Sequence, residues 1–253
     1  MINIKISDFF SNLNANDIKA IIKAFSKSQE CLGNGKRNEI KKVTYRKMYL
    51  NVKAFKLPNI LNQFIYGYIR KSKAQRSFEY ANRLSTLDVG TPKPLAYYES
   101  KNIFGLRESY YVSEQLNYDL TYRELVTVPD LLNHEEILRA FTRFTFALHE
   151  KKINFLDHSP GNTLIVSTDK GYDFYLVDLN RMKFESMSFH NRMQNFSRLT
   201  PKKEMIKVMS DEYAKISGVH FDEVYNKMWA LTQDFREKSK RKKQLKKRFL
   251  FKK

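Results

Sequence analysis

Two aspartates and one asparagine in the stretch 155–180, FLDHSPGNTLIVSTDKGYDFYLVDLN, stand at spacings suited to phosphoryl transfer. Asp157 precedes Asn162 by five positions, and Asp178 follows Asn162 by sixteen. Apolar runs at 163–166 and 174–177 flank a polar turn at 167–171, so the stretch reads as loop, strand, tight turn, strand, loop. Three carboxylate or amide groups therefore stand at the mouth of a β-ribbon. In phosphoryl transfer one aspartate orients a hydroxyl, while an Asn and a second Asp hold Mg2+ against a triphosphate. The spacing alone also fits a plain β-hairpin with an Asp at each end.

The elements that must position these groups lie upstream. Gly33-Asn34-Gly35 precedes two stretches rich in β-branched and aromatic residues, 40–45 and 49–55, which read as strands joined by a turn at Arg46 and Lys47. A Gly-x-Gly there lets backbone N–H groups approach phosphates, or serves as an ordinary turn. Lys53 lies eighteen residues after Gly35, and strand alternation puts it on one face with Asn51 and Phe55. It reads either as a phosphate-binding lysine or as a solvated strand lysine, with Lys56 as its competitor on the opposite face. The periodic stretch 72–87 reads as a helix that turns Phe78, Ala81 and Leu84 inward. Its Glu79 is placed to pair with Lys53, or with Arg76 or Arg83 on the same surface. The turn-rich 88–94 leads to strands at 95–98 and 110–112. Residues 113–117 then leave the small lobe as a hinge, where backbone groups of Glu114 to Leu116 would meet an adenine edge.

At 253 residues the chain suits two small lobes or one larger domain, and 42% hydrophobic with 14% aromatic residues marks it as globular. The single cysteine, Cys31, excludes an internal disulfide framework and fits a reducing cytoplasm. No basic-then-apolar leader and no run of eighteen apolar residues is present, so neither a signal peptide nor a membrane span is expected. No His/Cys cluster has zinc spacing. A short amphipathic helix is expected around 17–25, with asparagines before it as caps. A strongly periodic helix is expected at 134–150, carrying His134 and His149 as surface histidines, and further helices at 192–199, 201–217 and 221–235.

The net charge of +19 predicts attraction to a polyanion: nucleic acid, an anionic membrane or a phosphorylated glycolipid. The charge is unevenly placed. Residues 236–253 carry eleven Lys or Arg against one acid, Glu237, and so hold +10 of the total. This tail reads as a nucleic-acid arm, a membrane-surface helix or a solvated face. Leu245, Phe249 and Leu250 among its lysines form a short apolar strip, which favours the interface of an anionic bilayer.

Taken in order, these parts match the kinase-like fold, and their wording resembles the lipopolysaccharide core-sugar kinases of the Kdo/WaaP family. The resemblance covers roughly 33–199. It rests on KAFKLPN at 53–59, YGYIRKSKA at 66–74, RSFEYA at 76–81, GTPKPLA at 90–96 and LVDLNR at 176–181, followed by Arg192, Asn195 and Arg198-Leu199. It implies a two-lobed protein-kinase-like fold of the α+β class, with a small antiparallel-sheet N-lobe bearing one main helix and a mostly helical C-lobe. The expected boundaries are 1–116 for the N-lobe, 117–235 for the C-lobe and 236–253 for the basic tail.

The same resemblance implies ATP and Mg2+ as cofactors. Gly33 and Gly35 would lie over the nucleotide, Lys53 would contact the α/β-phosphates, Glu79 would fix Lys53, and Glu114 and Leu116 would meet the base. Asp157 would be the catalytic aspartate, with Asn162 and Asp178 holding the metal. The implied acceptor is a Kdo or heptose hydroxyl on the lipid A-linked core oligosaccharide. The protein is expected in the cytoplasm, held to the anionic inner-membrane surface by its tail, with no nucleic-acid partner. The chain departs from kinase patterns at three places. Phe155-Leu156 stands where protein kinases have His-Arg, the glycine-rich loop lacks its third glycine, and Asn180 replaces the glycine after the metal-binding Asp. Two other classes compete: a pseudokinase or ATP-binding module, and an atypical RIO-like protein kinase.

Overall fold

The computed structural model describes residues 1–32, 38–57, 63 and 65–250, with the side chains of 67, 68, 249 and 250 excepted. The chain divides into two compact units, Met1–Asn117 with Leu176–Asn180, and Tyr118–Tyr175 with Arg181–Lys253.

The first unit is built on a five-stranded antiparallel sheet. Its strands are β1 (Ile2–Ile6), β2 (Asn38–Tyr45), β3 (Met48–Phe55), β4 (Pro94–Asn102) and β5 (Gly105–Glu114), in the order β1-β4-β5-β3-β2. Arg46 and Lys47 join β2 to β3 with both φ angles positive, at 46° and 66°. That is the two-residue hairpin turn whose twist matches the strands beside it. Strand β1 was not foreseen; its alternating INIKI covers the edge of β4.

Each sheet face carries one helix. Helix α1 (Ala15–Lys27) starts in a capping box, in which the Asn14 side chain accepts from Asn16 and Asp17 while Asp17 accepts from the Asn14 N–H. Its Ile18, Ile21, Ile22 and Phe25 are buried with Val43, Leu50, Val52, Leu95 and Val112. Each such side chain contributes about 1.5–3 kcal/mol of burial free energy. Helix α2 (Lys73–Thr86) is capped by Ser72 and lies on the opposite face, where Ala74 and Phe78 pack with Phe55 and Tyr97. The period of two in β3 thus sends Leu50 and Val52 to α1, and Lys53 with Phe55 to the α2 face.

The second unit is mostly helical. A three-stranded sheet orders β6 (Leu120–Thr121), β8 (Thr163–Thr168) and β9 (Gly171–Leu176), and β7 (Ile153–Phe155) pairs with β10 (Met182–Phe184). Around them run α3 (Tyr122–Thr127), α4 (His134–Glu150), α5 (Phe189–Phe196), α6 (Lys203–Ser217) and α7 (Phe221–Leu250). Tyr122, Leu138, Phe141, Phe196, Met209, Tyr213 and Met228 lie in one buried cluster.

Three sequence expectations need correction here. His149 is not a surface residue: it is 1% exposed and its Nδ1 meets the Tyr213 hydroxyl at 3.1 Å, because the inner face of α4 continues to its last turn. Helix α5 starts at Phe189 rather than at 192, since the Ser188 side chain accepts from Asn191 N–H and caps it. The last helix runs on to Leu250 instead of ending at 235. No Gly or Pro interrupts it, Lys, Arg, Gln and Leu all favour helix, and Lys238 pairs with Asp234 and Arg241 with Glu237 one turn apart.

Candidate active-site residues in the two units

In the first unit Lys53 leaves β3 on the α2 face and is 9% exposed. Its Nζ lies 2.6 Å from Asp178 Oδ1, although 125 residues separate the two in sequence. The segment that carries Asp178 is tied to the start of β4: Leu176 N–H donates to the Gly90 carbonyl, and the Thr91 hydroxyl donates to the Leu176 carbonyl. Asp178 itself adopts φ 59°, an uncommon conformation for a non-glycine residue. Asn180 Nδ2 donates to the same Oδ1 at 2.7 Å. One carboxylate oxygen thus carries two donors, which orients the group.

Glu79 does not fix Lys53. Its two oxygens accept from Lys71 Nζ at 2.8 Å and Gln75 Nε2 at 3.0 Å. Gln75 is one helical turn away on the same face and Lys71 reaches over from before the helix, while the Lys53 ammonium is already neutralised by Asp178. The hydrogen bond that Lys71 donates to Glu79 holds its ammonium above its usual pKa. Gly33 and Gly35 lie outside the described residues. At the end of β5, Glu114 N–H donates to the Lys93 carbonyl, and the Leu116 carbonyl accepts from the Gln115 side chain. Gln115 Oε1 accepts in turn from Asn51 on β3, which fixes this segment to the sheet.

The second unit brings Asp157 and Asn162 together. Asn162 Nδ2 donates to the Asp157 carbonyl at 2.8 Å and so closes the loop between β7 and β8. Asp157 Oδ1 meets Arg198 Nη1 at 2.7 Å. From α5, Asn195 Nδ2 donates to the Phe155 carbonyl and to Asn154 Oδ1, and Asn195 Oδ1 meets His158 Nδ1 at 3.3 Å. His158 is fully enclosed, its ring 5.3 Å from Phe141 and 5.6 Å from Phe155. Burial pushes its pKa down to about 4, and pushes that of His149 down to about 3. On the other flank the Arg123 guanidinium rests on Gly161, where an added Cβ would lie 2.6 Å from Arg123 Nη2.

The donor chemistry suits Mg2+. The carboxylate of Asp178 in the first unit and the amide oxygen of Asn162 in the second are each hard donors of the kind that Mg2+ accepts beside phosphate and water. Among the described residues no group of three His, Cys, Asp or Glu forms a self-sufficient metal cage.

Sequence reasoning gave no role to Arg198, Asn195 or Arg123. Their signal was available only in part. The spacing of Asn195 and Arg198 placed both at the end of one helix, but nothing in the sequence said that this helix end faces the β7–β8 loop. Asn180 stood out only as a departure from glycine.

The sequence profile of the lipopolysaccharide kinase (Kdo/WaaP) family matches residues 32–219. No curated protein matches by sequence. Among solved structures, the chain is similar to WaaP in a complex with acyl carrier protein, at 13% identity and a TM-score of 0.62. That match covers 94% of this chain and 98% of the other. It is less similar to the Rio2 kinase from Chaetomium thermophilum in its ADP/Mg2+-phosphoaspartate complex, at 15% identity and a TM-score of 0.45, covering 90% and 77% of the two chains. The fold is the α+β, protein-kinase-like one.

Proposed function

The chain belongs to the lipopolysaccharide kinase (Kdo/WaaP) family, and we propose that it transfers the γ-phosphoryl group of ATP to a sugar hydroxyl of the lipopolysaccharide inner core. A Kdo or heptose residue linked to lipid A is the acceptor in this reading. The observation that carries it is the Lys53–Asp178 pair, in which two parts of the chain distant in sequence set a near-buried cation against a carboxylate.

The roles follow from the chemistry. A sugar hydroxyl is a weak nucleophile at neutral pH, so Asp157 orients it and accepts its proton late, as the new P–O bond forms and the bond to the leaving ADP breaks. Lys53 places its charge against the α/β-phosphates, and the backbone at Glu114 and Leu116 meets the adenine edge. Mg2+ bound by Asn162 and Asp178 would neutralise charge on the phosphates. Electrostatic stabilisation and positioning, rather than covalent chemistry, supply most of the acceleration.

The basic stretch of α7 supports a peripheral position on the anionic cytoplasmic face of the inner membrane, where the acceptor is anchored. Residues 240–248 are exposed throughout, and no helix among the described residues is long and apolar enough to cross a membrane.

The deciding assay follows labelled γ-phosphate from ATP, with and without Mg2+, to purified lipid A carrying inner-core sugars, with protein and water as competing acceptors. Label on the sugar is expected. Asp157→Ala should abolish transfer with ATP binding nearly intact, and Asp178→Ala should also weaken metal-dependent binding. Transfer that persists in the Asp157 variant sinks the assignment.

A further inference from the structure

We propose that Arg198 is the positioning residue for Asp157 and that the Phe235 ring of α7 holds it in place. The inference rests on the reading of Asp157 as the residue that orients the acceptor hydroxyl. Arg198 follows the end of α5 by two residues, and its Nη1 bonds Asp157 Oδ1 at 2.7 Å and the Leu156 carbonyl at 3.2 Å. A single nitrogen therefore grips both the carboxylate and the backbone just before it, so the carboxylate cannot rotate independently of its loop. Asn195, one turn earlier, binds the Phe155 carbonyl. Three consecutive residues, Phe155 at the end of β7 and Leu156 and Asp157 in the loop that follows, are thus held from one helix and its exit.

The guanidinium is itself held. Its carbon lies 5.5 Å from the centroid of the Phe235 ring, a face contact that suits a planar cation better than an ammonium. Its Nε is buried and has no hydrogen-bond partner among the described residues. A side chain kept for stability alone gains little from an ion pair this exposed, at 32% for Arg198 and 21% for Asp157. The pair instead engages Oδ1 of Asp157 and so fixes the orientation of the carboxylate. Phe235 stands immediately before the basic run of α7, so the helix that carries the tail's charge also backs the residue that aims the aspartate.

The test compares Arg198→Ala, Arg198→Lys, Phe235→Leu and Asp157→Asn in the full chain, reading phosphoryl transfer to inner-core lipid A, ATP turnover to water and thermal midpoint. Misplacing a reacting group by about 1 Å lowers the rate on the order of a hundredfold. Arg198→Ala should therefore lose about that factor in kcat, with KM for ATP within about threefold and an almost unchanged midpoint. Low millimolar guanidinium should restore its activity at least several-fold and should do nothing for Asp157→Asn. Phe235→Leu should lose a smaller factor that does not add to the loss in Arg198→Ala.

Equal turnover in wild type and Asp157→Asn would overturn the reading of Asp157, and the inference with it. An inactive Asp157→Asn beside an Arg198→Ala of wild-type kcat overturns the positioning role alone. Should Arg198→Ala fail to fold, wild-type kcat in both Arg198→Lys and Phe235→Leu overturns it equally.

Discussion

Asn180 Nδ2 lies 2.7 Å from Oδ1 of Asp178, the same oxygen that Lys53 reaches at 2.6 Å. The asparagine that replaces the glycine expected after a metal-binding aspartate therefore does work that a glycine cannot. It holds a carboxylate whose backbone sits at φ 59°, and Asn180 is itself only 8% exposed. A hydrogen bond to a charged group contributes about 1.5–3 kcal/mol. Asn180→Gly should thus raise the Mg2+ concentration for half-maximal rate by about tenfold, with kcat at saturating Mg2+ little changed. Mn2+ binding followed by electron paramagnetic resonance, with a non-hydrolysable ATP analogue present, should weaken in parallel. Unaltered metal affinity would remove Asn180 from the site.

Lys53→Met removes the cation and leaves the apolar length of the side chain. Loss of one electrostatic donor of this kind lowers kcat by about a hundredfold or more. Because Asp178 is 31% exposed at its side chain, water partly replaces the lost partner, and the stability penalty should stay near 1 kcal/mol, below that of a fully buried pair. Steady-state kinetics and denaturant unfolding separate the two effects. A variant that is destabilised but fully active would make the lysine structural.

The elements that carry the candidate residues were legible because they depend on short-range spacing. Alternation in 49–55 put Lys53 on one face with Phe55, and the apolar runs at 163–166 and 174–177 marked the strands of the β-ribbon between Asp157 and Asp178. The Glu79 pairing was misjudged because the sequence cannot show that the Lys53 ammonium is taken up by Asp178, leaving Glu79 to Lys71 and Gln75. The helix end at 235 was misjudged for a different reason. A charge run was weighed as a tail, whereas the helix propensity of its Lys, Arg and Gln residues carries α7 through it. The contacts of Arg198 and Asn195, though not the residues themselves, were out of reach, since only the packing of α5 brings them to residues 155–158.

The two buried histidines make stability pH-dependent in the acid range. Burial lowers His158 to about 4 and His149 to about 3, against about 6.5 in an unfolded chain. Between those values the unfolded state binds more protons, so stability falls as pH drops below about 6.5 and levels off only near the folded pKa values. Each histidine contributes a slope of at most about 1.4 kcal/mol per pH unit. The thermal midpoint should fall steeply from pH 6.5 to 4.5, and His158→Gln should flatten that slope by about half. A His158→Gln profile parallel to wild type would mean that His158 takes up its proton as readily in the folded protein as in the unfolded chain.

The basic stretch of α7 predicts a lipid interaction driven by charge. Residues 240–248 are exposed on all sides of the helix, with Leu245 53% exposed among the cations. Each Lys or Arg near an anionic surface contributes about 1 kcal/mol, within a screening length of about 10 Å at 0.1 M salt. Reversing Lys242, Lys243 and Lys246 to Glu should therefore lower partitioning onto phosphatidylglycerol-rich vesicles at least a hundredfold. The thermal midpoint should hardly move, because none of the three makes a buried contact. Wild-type protein should leave the vesicles at high salt and should not bind zwitterionic ones. Co-sedimentation across a salt series reads all of this, with duplex DNA as the competing polyanion. Equal binding to neutral vesicles, or tight binding to DNA with none to lipid, would show that the charge serves another partner.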